Sequence, residues 1–75
     1  MEYIFEPEVL RYPPRKVNLR RDDEIVATFY LNDLESFMRY RDVFTHLLGE
    51  VETSKLLNLG EPVALITDKP FNTFF

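Results

Sequence analysis

Between Lys16 and Leu31 the chain alternates. Val17 and Leu19 are separated by polar residues, and Ile25, Ala27, Phe29 and Leu31 occupy every second position. Side chains on a strand point alternately to its two faces, so this spacing predicts a β-hairpin. In that reading Ile25, Ala27, Phe29 and Leu31 share one face, and Val26, Thr28 and Tyr30 share the other. The intervening Arg20, Arg21, Asp22 and Asp23 supply a polar turn, where Asp tolerates turn geometry. The two arginines are followed at once by Asp22, Asp23 and Glu24, so the segment reads as a solvated turn rather than a basic patch.

At Asn32 the period changes. Leu34, Phe37, Met38, Phe44, Leu47 and Leu48 recur at helical spacing and predict an amphipathic helix over 32–49 with that stripe buried. Arg39, Arg41 and Asp42 fall outside the stripe. Asn32 or Asp33 can cap the start, and Asn32 with Glu35 has capping-box spacing. Gly49 suits the C-terminal stop.

The flanks are less regular. Residues 2–5 predict a short strand, which Pro7, Pro13 and Pro14 should break. The stretch around Pro13 and Pro14 reads as an extended connector without P-x-x-P spacing. Residues 50–60 predict one or two helical turns ended by Gly60. Residues 62–67, PVALIT, predict a strand ended by Asp68 and Pro70. No internal repeat is visible. The expected fold is therefore α+β: a small hairpin-containing antiparallel sheet packed on one main α-helix, with an extended C-terminal tail. Residues 1–67 form the expected domain and residues 68–75 the tail.

Composition narrows the function. At 75 residues the body is expected to be marginally stable alone, with folding on binding as an alternative. The absence of Cys excludes disulfides and thiolate metal sites. Nine Lys and Arg against 13 Asp and Glu give a net charge of −4, which repels phosphate backbones and argues against direct nucleic-acid binding. The N-terminus has no basic segment ahead of an apolar run, and no stretch reaches membrane-span length, so a cytoplasmic protein is expected.

Catalytic chemistry is not expected. His46 is the only His, and one His without Cys builds no zinc site. Only two Gly are present, too few for a backbone phosphate cradle. The pairs Asp22 with Asp23 and Glu50 with Glu52 lie in charge runs that read as solvated. A non-enzymatic protein with no cofactor, metal or small-molecule substrate is the expectation.

The last eight residues, DKPFNTFF, stand apart: three of the seven Phe fall in the final five positions. Phe71 and Phe74 are three apart and Phe75 follows directly. One 3₁₀ turn would stack these rings into a compact plug, since residues three apart eclipse there. Pro70 pre-sets the chain direction and lowers the ordering cost. This spacing resembles the PCNA-interacting peptide, or PIP box, Q-x-x-h-x-x-a-a, with h aliphatic and a aromatic. Phe74 and Phe75 match the aromatic pair, Phe71 the aliphatic position and Asp68 the Gln position. The resemblance implies docking under the interdomain connector loop of the PCNA sliding clamp, with Asp68, Pro70, Phe71, Phe74 and Phe75 as partner-binding residues. A protein bringing no activity to that pocket would resemble the small archaeal inhibitors of PCNA. Two positions depart from the pattern. Asp68 only accepts hydrogen bonds when ionised, where Gln also donates, and Phe71 is bulkier than the usual aliphatic residue. Three alternatives stand beside this reading. In the first, the chain is an adaptor that holds a second protein on the clamp. Its terminal Phe cluster could instead pack in the core of a small structural or interaction domain. Thr73-x-Phe75 also resembles a PDZ ligand.

Overall fold

The computed structural model describes residues 2–8 and 14–68. Six elements follow one another: β1 (Glu2–Glu8), β2 (Lys16–Arg21), β3 (Glu24–Tyr30), α1 (Leu34–Leu48), α2 (Glu50–Asn58) and β4 (Val63–Ile66). The strands form one sheet in the order β3-β2-β1-β4. Every neighbouring pair is antiparallel. The fold is α+β, as expected, but two helices cover the sheet rather than one: α1 lies against β3, and α2 against β1 and β4.

The hairpin of β2 and β3 turns at Asp22, whose φ of 55° is the left-handed conformation that Asp tolerates in tight turns. Its register departs from simple alternation. Leu19 pairs with Ala27 but Arg20 pairs with Ile25, so Val26 is an extra residue in β3. Such a bulge exchanges the faces of the residues beyond it. Ile25 therefore leaves the face of Ala27, Phe29 and Leu31, joins Arg20 on the outer face, and is 57% exposed. Val26 takes its place against the core. The expected grouping of Ile25 with Ala27, Phe29 and Leu31 is corrected accordingly.

β1 continues through Pro7, which pairs with Val17, so Pro7 does not end the strand. β4 reaches only Glu2–Phe5 of β1. Among the described residues β1 has one strand neighbour at Pro7, and such an edge position is where a sheet tolerates a residue lacking an N–H.

Helix α1 is capped by Asp33, not Asn32. The Asp33 carboxylate accepts a 2.7 Å hydrogen bond from the Ser36 N–H. This bond, largely, holds the Asp33 carboxyl below the usual aspartate range. The buried stripe is also rotated from expectation. Phe44 is fully buried, and Phe37, Tyr40, Val43, Leu47 and Leu48 pack against the core, whereas Leu34 is 77% exposed and Met38 is exposed. At 3.6 residues per turn, Tyr40 and Val43 extend the apolar sector on the side away from Leu34 and Met38. The sheet engages the sector's centre and leaves those two on its margin.

Gly49 joins the helices. Its N–H donates to the Thr45 carbonyl, and its own carbonyl accepts from the Thr53 N–H. Its φ of 88° is the feature that calls for glycine, because no atom crowds the position where a Cβ would sit. The following helix has nine residues, longer than one or two turns. It ends where the Leu59 and Glu61 amides both donate to the Lys55 carbonyl around Gly60.

The core lies between the helices and one face of the sheet. Tyr3, Phe5, Val17, Leu19, Phe29, Leu31 and Val63 meet Phe44, Leu56 and Leu57 there. One row across the sheet runs Val63, Phe5, Leu19 and Ala27. Phe5, Phe29, Tyr40 and Phe44 form an aromatic cluster with centroid separations from 5.2 to 6.4 Å.

Candidate functional site

The tail begins where β4 ends. Val63 is buried and Leu65 half-buried against the helices, while Ala64 and Ile66 alternate onto the outer face of the sheet. Thr67 is half-buried and Asp68 is exposed. Asp68 thus sits at the surface, two residues beyond the end of β4. The other residues expected to bind a partner, Pro70, Phe71, Phe74 and Phe75, lie outside the described residues.

The outer face of the sheet carries an ordered polar centre. Glu8 and Lys16, opposite each other in the register, form a 2.9 Å ion pair. The hydrogen bond to Glu8, followed by its charge, raises the Lys16 pKa. Arg20 Nε lies 2.6 Å from Glu6 Oε1, although neither atom has an aligned hydrogen-bond partner. Separation governs charge attraction, so this contact is an ion pair. Thr28 donates to Asn18 Oδ1 at 2.9 Å. These are cross-strand partners that fix register rather than groups gathered around a reacting atom.

Between α1 and α2 lies a cleft of about 310 Å³ bordered by Arg41, Asp42, Glu50 and Thr53. The Thr53 hydroxyl is buried and has no hydrogen-bond partner among the described residues. The cleft was not foreseen, because its walls come from the polar flanks of two separate helices.

The other candidate groups are dispersed. His46 is exposed in the last turn of α1. Asp22 and Asp23 occupy the exposed hairpin turn. Glu50 is exposed, and Glu52 pairs with Lys55 at 3.3 Å. Among the described residues no three His, Cys, Asp or Glu side chains are grouped to hold a metal ion. No helix among them is long and apolar enough to cross a membrane. No family model, curated protein or solved structure matches the chain.

Proposed function

We propose that this chain is a non-enzymatic regulator that binds the PCNA sliding clamp, occupies its PIP pocket and inhibits clamp-dependent replication and repair enzymes. The observation that carries the reading is the spacing of Asp68, Phe71, Phe74 and Phe75 in the sequence, with Pro70 ahead of the aromatic residues. Burying one Phe is worth roughly 1.5–3 kcal/mol. Three rings supply enough to bind in the micromolar range after the costs of ordering and association.

The exposed Asp68 fits this arrangement, because a residue that meets a partner's pocket has to lie at the surface. A folded body joined to a pocket-binding tail inhibits by occlusion: while the tail fills the pocket, polymerase, ligase and nuclease tails cannot.

The test is direct binding of the full chain to the clamp, compared with a Phe74→Ala/Phe75→Ala variant. Binding by the full chain and its loss in the variant are expected; equal binding by both overturns the proposal. A clamp-dependent primer-extension assay then separates inhibition from tethering of a second protein. Synthesis should fall as the chain saturates the clamp, and undiminished synthesis at saturation removes the inhibitory role.

A further inference from the structure

The cleft between α1 and α2, about 310 Å³ in volume, falls within the range of ligand pockets, roughly 300–1,000 Å³. Its α2 wall is one stripe: Glu50, Thr53 and Leu57 recur at helical spacing and face the same way. Its α1 wall carries Arg41, Asp42 and Thr45. Among the described residues that line it, Leu57 alone is apolar, so the cleft suits a polar occupant.

The charges on these walls are left open. Elsewhere on the same helices Arg39 pairs with Glu35, and Lys55 with Glu52. Arg41, Asp42 and Glu50 make no ion pair among the described residues, although both signs of charge line one cavity. The hydroxyls narrow the chemistry further. Thr45 donates its proton to the Arg41 carbonyl at 2.7 Å, so towards the cleft its oxygen only accepts. Thr53 is 3% exposed, yet its hydroxyl has no hydrogen-bond partner among the described residues. A buried hydroxyl without a partner is unfavourable, and this one belongs to the stripe that faces the cleft.

We propose that the cleft binds a small zwitterion of the α-amino-acid class. Its carboxylate pairs with the Arg41 guanidinium, and its ammonium with the Asp42 and Glu50 carboxylates. The Thr45 and Thr53 oxygens accept the remaining ammonium N–H groups. A guanidinium offers donors only and an ionised carboxylate acceptors only, so a ligand carrying both charges satisfies both walls. A simple anion would face two carboxylates, and a simple cation would face Arg41. Arg41, Asp42 and Glu50 are exposed, so water screens the pairs and affinity is on the order of millimolar for a ligand of few atoms. This inference does not depend on clamp binding.

Titration of the isotope-labelled full chain with free glycine tests it, followed by backbone amide NMR shifts at neutral pH and constant ionic strength up to about 100 mM ligand. Saturable shifts across residues 41–45 and 50–58 are expected. N-acetylglycine lacks the ammonium and glycinamide lacks the carboxylate, and each should bind at least about fivefold more weakly than glycine. Arg41→Gln should lower glycine affinity to that of glycinamide, and Asp42→Asn/Glu50→Gln to that of N-acetylglycine, with unchanged far-UV circular dichroism spectra. Thr53→Val keeps the side-chain shape without the hydroxyl and should weaken binding without lowering the melt. Glu52→Gln, an acid of α2 outside the cleft, should leave binding intact. A chain with no saturable shift overturns the proposal and leaves the cleft to water. So do blocked forms that bind as well as glycine, affinity that survives any of the three cleft variants, or affinity that is lost with Glu52→Gln.

Discussion

Phe44 of α1 meets Phe5 of β1 edge to face, with ring centroids 5.2 Å apart, an interplanar angle of 65° and both side chains fully buried. The contact joins the longer helix to an interior strand of the sheet. Phe44 also packs edge-on against Phe29 of β3 at 5.4 Å. Removing its ring would leave a cavity bounded by residues from several elements. Phe44→Ala should therefore cost about 3–5 kcal/mol, much of the stability available to a domain this small. Urea denaturation followed by circular dichroism measures it. A loss below about 1 kcal/mol would contradict the described packing.

The bulge at Val26 yields a paired prediction. Ile25 lies on the outer face and Val26 packs against the core, the reverse of simple alternation. Ile25→Lys should change stability by no more than about 0.5 kcal/mol. Val26→Lys should cost more, on the order of 1–3 kcal/mol, because it brings a charge towards the core. Thermal melts of the two variants decide the matter. A larger loss from Ile25→Lys would mean that β3 pairs in straight register.

These two cases mark where the sequence was legible and where it was not. Strong local periodicity marks the hairpin and α1, because period 2 and period 3.6 leave different signatures in the chain, and β4 is legible as a short apolar run behind Pro62. The bulge left no signature, since Ile25 and Val26 are both apolar β-formers and either can face the core. The rotation of α1 has a similar origin. Tyr40 and Val43 share its apolar sector with Leu34 and Met38, and only the sheet decides which side is buried. Pro7 was misread because its tolerance depends on how far β4 extends, a non-local fact. Of the five candidate partner-binding residues, the structure places Asp68 alone, at the surface.

The Asp33 cap gives α1 a pH dependence of fixed sign. The Ser36 N–H lowers the Asp33 pKa below its ordinary value of 3.8. A carboxyl with a depressed folded-state pKa contributes stability fully above its unfolded value, and that contribution is lost as pH falls through the folded value. Between neutrality and pH 5 Asp33 should therefore contribute no slope, with its loss confined to the range below about pH 4. Asp33→Asn retains a capping oxygen without a titrating group. Melting midpoints from pH 7 to 2 should fall less steeply for this variant than for the parent at the acid end. Parallel curves would show that the cap does not titrate in this range.

The terminal aromatic pair separates an external role from an internal one, because stability and clamp binding respond differently in the two cases. If Phe74 and Phe75 fill a partner's pocket, changing both to Ala removes roughly 3–6 kcal/mol of transfer free energy from the complex. This is about a 10²–10⁴-fold loss of affinity, with the melting temperature of the free chain almost unchanged. If instead they complete this protein's own core, each truncation costs about 3–5 kcal/mol of folding free energy. The double variant would then be largely unfolded before any partner is added. Proposed clamp binding predicts the first pattern: a retained melt for Phe74→Ala/Phe75→Ala together with lost binding in titration calorimetry. Asp68→Gln adds a donor at the position where a PIP box carries Gln, and it should tighten clamp binding without altering the melt. A collapsed melt in the double variant, or no change in affinity on Asp68→Gln, would count against the PIP-like docking of this tail.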